Sequence, residues 1–302
     1  MVNATSLYSN KTQVSYGKIE NLRITCLTLI LSTFSLYLSS VIVILCVLFT
    51  TSHIRENVRY LLFCHVLICD SFHFTLAFIL FIMALYLVFI PLKYCCIIGG
   101  IAATTNFITP YNLALMSLER YVAICFPLRH EKICTVWRCN IAIMLTWAIA
   151  AFPVLIELLI LWFFTGNSYF SRQTVCVWNF LQIYKVQSTI RFLSFSLSFI
   201  MVGLTIIYTY IRVMLVAKKI GSSKSSATKA AKTVLLHAFQ LLLCLCSYSN
   251  TFTETIFPKQ YLNIAAINFF LFSCLPQYIS PLIYGIRDEV IRQRIRKLFR
   301  ST

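Results

Sequence analysis

Residues 95–125 read "CCIIGGIAATTNFITPYNLALMSLERYVAIC", an apolar run that carries no charge until it reaches Glu119 and Arg120 side by side. The interval from Cys95 to Arg120 corresponds to about 37 Å of helix, more than the roughly 30 Å hydrocarbon core of a bilayer. An acid and a base that emerge together at the end of such a run sit where a membrane meets water. A pair placed there is cheap to hold and open to a partner protein; interfacial anchoring is the simpler alternative.

The rest of the chain agrees with this reading. It has 302 residues, 59% of them hydrophobic and only 12% charged, with 7 glycines and 7 prolines. A soluble domain of that size needs far more charge to cover its surface. The apolar residues gather into seven runs, at about 24–50, 58–85, 95–125, 139–163, 187–217, 229–251 and 261–284, each long enough to span. The expected fold is an all-α membrane protein: a seven-transmembrane helix bundle with a short amphipathic C-terminal helix. Residues 1–23 form an N-terminal tail, 24–285 the bundle, and 286–302 an eighth, amphipathic helix and tail.

Charge gives the orientation. Of the 26 Lys and Arg, 18 lie in the segments 55–59, 120–138, 212–232 and 287–300, which all fall on one side of a seven-span chain. The positive-inside rule puts that side in the cytosol and the N-terminus outside. The sequons Asn3-Ala-Thr5 and Asn10-Lys-Thr12 both lie in the N-terminal tail, which makes Asn3 and Asn10 candidate glycosylation sites. A net charge of +17 in this arrangement belongs to helix ends beside anionic lipid, not to nucleic acid. The expected location is the plasma membrane, multi-pass, with a cytoplasmic C-terminus.

Polar groups within the runs are the candidates for function. Asp70, in "LLFCHVLICDSFHFTLAF", lies about 15 Å deep. An acid there costs about 2.5–3.5 kcal/mol to insert and requires partners, a cation or a proton. Thr109 comes to a similar depth on the third run, and Ser280 on the seventh is a further candidate. Glu157, near the outer end of the fourth run, reads as a snorkelling interfacial acid. His65, His73 and His237 have no metal-ligand spacing and read as satisfied core or interfacial histidines. No metal site is expected, and no set of paired acids or His/Asp groups at one depth suggests an enzyme. Of the 13 cysteines, Cys95, Cys96 and Cys176 fall on the oxidising side, so a bridge from Cys176 to either of the adjacent pair is open.

"MSLERYVAICFPLRH" (116–130), "KTVLLHAFQLLLCLCSY" (232–248) and "PLIYGIRDEVIRQRIRKLF" (281–299), with Asp70 and Trp147, resemble the rhodopsin-like, or class A, G-protein-coupled receptors. Within them the strings are similar to odorant receptors, particularly the odorant-receptor-like group of fish. The resemblance implies a receptor that binds a small organic odorant in the outer half of the bundle and activates a heterotrimeric G protein. It assigns the G-protein microswitch to Glu119, Arg120 and Tyr121, with Pro281 and Tyr284 on the seventh helix, and the bridge to Cys95–Cys176. It also raises a sodium ion near Asp70, Thr109 and Ser280, the only cofactor that comes into question. Departures weaken that ion site: no Asn occurs between Asn21 and Asn57, and Ser280 stands where many members have Asn. Helices 5 and 6 also lack the usual prolines, and Ala102 stands where amine receptors carry Asp. The expected ligand-facing residues are Asn106, Ser194, Ser198, Tyr248 and Ser273. A non-olfactory class A receptor for a peptide or lipid is the alternative, and a small-solute transporter a remote one.

Overall fold

The computed structural model describes residues 4–50, 57–176 and 183–219, together with separate positions between 239 and 296. Five long helices dominate the described part: α1 (Ala4–Thr50), α2 (Val58–Leu85), α3 (Leu92–Cys125), α4 (Val136–Thr165) and α5 (Lys185–Lys219). All five contain a segment long and apolar enough to cross a membrane. The described positions of the sixth and seventh runs are helical, including one π-turn over Phe269–Cys274.

The observed ends have local causes. Asn57 caps α2 by accepting from the Arg59 N–H at 3.0 Å, and Thr135 caps α4 by accepting from the Arg138 N–H at 3.3 Å. Gly166, at φ 70°, ends α4 in a conformation that side-chain-bearing residues rarely adopt. The first helix is longer than its membrane span: it starts at Ala4, while the apolar segment able to cross the membrane runs over Ile24–Thr50, as expected.

Helix α3 is the interior member and packs against α2, α4 and α5. Its apolar window is 44% buried, against 28–33% for the other four. Gly100 permits the close approach of α3 to α4: a Cβ there would stand 3.3 Å from Leu158 Cδ1. The outward faces of α4 and α5 carry exposed Met144, Phe152, Leu159, Leu197, Leu204 and Ile207, the expected surface toward lipid tails. Many hydroxyls at membrane depth are satisfied within their own helix. On α1, Thr25, Ser32, Ser35, Ser39 and Ser40 each donate to a carbonyl three or four residues back.

At the outer end a two-stranded antiparallel pair, β1 (Phe89–Pro91) and β2 (Gln173–Val175), joins the α2–α3 turn to the loop after α4. Cys176 follows β2 directly and forms a disulfide with Cys95 at the top of α3. The neighbouring thiol of Cys96 stays free and buried among Leu92, Leu161 and Cys176.

Candidate functional site

The C-terminal end of α3 carries the first cluster. Glu119 is only 8% exposed and holds two partners. Arg120 Nε lies 3.6 Å from its Oε2, and His130 Nε2 donates to its Oε1 at 3.3 Å. His130 reaches Glu119 because the chain leaves α3 through a single turn at Pro127–Arg129 and enters a one-turn helix, His130–Ile133. Tyr121 stands on the other side of this end. Its ring meets Phe126 edge-on at 5.7 Å and Tyr208 of α5 at 6.0 Å. Beneath the cluster, Cys139 is buried and Cys134 packs against the same core. Burial, and then the charge of Glu119, push the Cys134 thiol above its ordinary range.

A second polar layer crosses the middle of the bundle. Thr109 donates to Asp70 Oδ1 at 2.9 Å, so the two residues placed at equal depth by their spacing do meet. One residue beyond Asp70, Ser71 gives its hydrogen to Leu67 O and accepts from the Tyr37 hydroxyl at 3.0 Å. Tyr37 is fully buried, and it supplies the α1–α2 hydrogen bond in a helix without asparagine at this depth. His65 is held from two sides: the Trp147 indole donates to its Nε2 at 3.1 Å, and its Nδ1 faces Asn112 Oδ1 at 3.2 Å. His73 Nδ1 donates to Ala102 O at 3.0 Å. Both histidines are thus satisfied core residues. No group of three or more metal-ligating side chains occurs among the described residues.

The third layer lies in the outer half, and it corrects one expectation. Glu157 is not an interfacial acid reaching for water. It is buried and takes a bidentate pair from Arg191 of α5, with Nε donating to Oε1 at 3.1 Å and the second contact joining a terminal guanidinium nitrogen to Oε2. Gln187, one turn outward of Arg191, donates to the Glu157 carbonyl at 3.0 Å and accepts from the backbone N–H groups of Ile183 and Tyr184. The signal was present: a guanidinium inside the run 187–217 cannot face lipid and needs an acid at its own depth.

Of the expected ligand-facing residues, Asn106, Ser194 and Ser273 are half-buried. Ser198 is buried and committed between helices, donating to Ser194 O at 2.7 Å and accepting from Tyr111 at 2.6 Å. Pro281 is buried. Asn3, Tyr248, Ser280, Tyr284 and His237 lie outside the described residues; the backbone of Asn10 is part of α1.

A spanning bundle, an acid–base pair at the inner end of its central helix and a disulfide from that helix to the outer loop together describe a receptor-like chain. The family profile described as 7 transmembrane receptor (rhodopsin family) matches residues 39–284, most of the chain. The protein is a rhodopsin-family receptor. Members of this family are receptors and not enzymes. The receptor is 29% identical to zebrafish (Danio rerio) odorant receptor 131-2 over 239 residues, which cover 78% of this chain and 74% of that one. It is also 29% identical to human (Homo sapiens) olfactory receptor 52A1 over 202 residues, or 63% of each chain. A rat (Rattus norvegicus) olfactory receptor, olfactory receptor 1, is 24% identical over 204 residues, 63% of this chain and 62% of the relative. The chain therefore spans a little under two thirds of these two mammalian relatives, and its similarity is to chemosensory receptors.

Proposed function

We propose that this receptor detects a small organic, odorant-like ligand in the outer half of its bundle and answers by activating a cytosolic heterotrimeric G protein. The observation that carries the reading is the Glu119–Arg120 pair at the inner end of the central helix, in a rhodopsin-family chain whose relatives are odorant receptors. The pair restrains the arginine on the bundle's own acid; its release frees a guanidinium for a partner. The adjoining loop supports the same reading. Leu128 is 96% exposed between Pro127 and Arg129, an apolar knob beside a basic residue that suits a protein surface better than water. The N-terminus lies outside and the C-terminus in the cytosol of the plasma membrane.

The ligand residues we assign are Asn106 and Ser194, with Ser273, Tyr248 and, through its tie to Ser194, Ser198. A mostly apolar wall with a few hydrogen-bonding groups suits a small molecule. A ligand screen in cells expressing the chain, read through cAMP and G-protein dissociation, tests the reading. Arg120→Ala is expected to reach the surface and lose agonist-driven activation, and an agonist that activates this variant fully refutes the assignment.

A further inference from the structure

The Glu157–Arg191 pair is unusual in its position. Arg191 stands six residues inside α5 from Lys185, about 9 Å, and Glu157 eight residues inside α4 from Thr165, about 12 Å. Both are buried. One turn outward of Glu157 is Leu161, in the apolar cluster around the Cys95–Cys176 bridge; one turn inward is Val154, in a cluster with Phe107, Phe195 and Phe199. The pair is thus a single charged layer between two apolar ones, in the half of the bundle where the proposed ligand binds. As a clamp alone it has little to recommend it, since a buried ion pair stabilises no better than well-packed apolar residues of the same volume.

We propose that this layer recognises small monocarboxylic acids, the ligand's carboxylate taking Arg191 while its proton passes to Glu157. The inference rests on the small-ligand reading above and names its chemical class. The exchange is balanced: the O–H bond of the incoming acid breaks, an O–H bond forms on the Glu157 carboxylate, and Arg191 trades one bidentate carboxylate for another. The layer stays neutral throughout, so no net charge enters a low-dielectric site. The same argument rejects amines. An ammonium ion could pair with Glu157 only by leaving a guanidinium without its carboxylate, and arginine cannot shed its proton to relieve the cost. An alcohol or ester supplies no charge to Arg191 and leaves the original pair in place. The apolar remainder of an acid meets Phe195, one turn inward of Arg191, whose ring contacts Phe107 at 5.7 Å and Phe199 at 4.4 Å.

The test presents cells expressing the full chain with straight-chain acids from acetic to decanoic and with benzoic acid. Each is set against the amine, alcohol and methyl ester of the same skeleton. Acids are expected to activate, with the neutral and cationic counterparts at least about a hundredfold weaker. Glu157→Gln removes the competing carboxylate and is expected to lower the half-maximal concentration for acids by about tenfold or more, a shift a clamp would not give. The double variant Glu157→Leu/Arg191→Met replaces the pair by apolar side chains, is expected at the cell surface, and should lose the acid response. An acid response that survives in the double variant overturns the proposal, as do equally potent alcohols or unchanged potency in Glu157→Gln. Silence toward every acid also overturns it, and leaves the receptor reading intact if Glu119→Gln raises ligand-independent signalling. Silence in both assays removes the receptor reading and this one with it.

Discussion

The restraint on Arg120 can be weighed from its geometry. Glu119 holds Arg120 Nε at 3.6 Å and His130 Nε2 at 3.3 Å, and is itself 8% exposed while Arg120 is 28% exposed. At 3.6 Å a unit-charge pair is worth about 1 kcal/mol in water and about 5 kcal/mol at an effective dielectric constant of 20. The solvent around Arg120 and the loss of rotamer freedom pull the net value toward the lower figure, about 1.5 kcal/mol. Glu119→Gln removes the charge and keeps the shape. It is therefore expected to raise ligand-independent G-protein activation about tenfold, the factor that 1.4 kcal/mol gives in a two-state equilibrium. His130→Ala removes only the secondary contact and leaves Arg120 beside its acid, so the rise should stay within about threefold. The assay is G-protein dissociation in cells, normalised to surface receptor. Unchanged basal signalling in Glu119→Gln, or a larger effect from His130→Ala, would refute the reasoning.

The bridge closes a chain separation of 81 residues, which restricts the unfolded chain by about 4–5 kcal/mol on the entropy estimate. Cys95→Ser and Cys176→Ser should each abolish surface expression, and Cys96→Ser should not; equal loss in all three would contradict the pairing. Asn106→Leu is expected to shift agonist potency about tenfold, or 1.4 kcal/mol, with expression unaffected; unchanged potency moves the ligand elsewhere. A cysteine placed at Arg294 should label only from the cytosolic side, and labelling from outside would invert the topology.

The spans were legible because the hydrocarbon core imposes a length and an apolar composition that no other environment demands. Counting along helices also brought Asp70 and Thr109 to one depth, where they bond. Counting did not say which neighbour a helix face meets. Ser194 and Ser198 share one side of α5 as their spacing implies, yet that side brings Ser198 against Tyr111 of α3. The Glu119–His130 contact was out of reach for another reason: it depends on the turn at Pro127–Arg129, which helical periodicity does not describe. Glu157 and Arg191 were a missed opportunity, since their depths match and each supplies what the other lacks. The bridge was open between two adjacent cysteines until the family resemblance selected Cys95, and the structure joins that one.

The His65 junction has a mechanical consequence. One imidazole on α2 receives the Trp147 N–H of α4 and faces Asn112 of α3. With Nε2 accepting, the ring proton sits on Nδ1 and points at the Asn112 oxygen, so the ring serves both neighbours only while it is neutral and unrotated. Helices held by alkyl packing can slip past one another by a fraction of a residue at small cost. Helices pinned by directional bonds to one rigid ring cannot. Sliding α2 against α3 or α4 at this level therefore breaks directional bonds, where helices in alkyl contact alone would lose none.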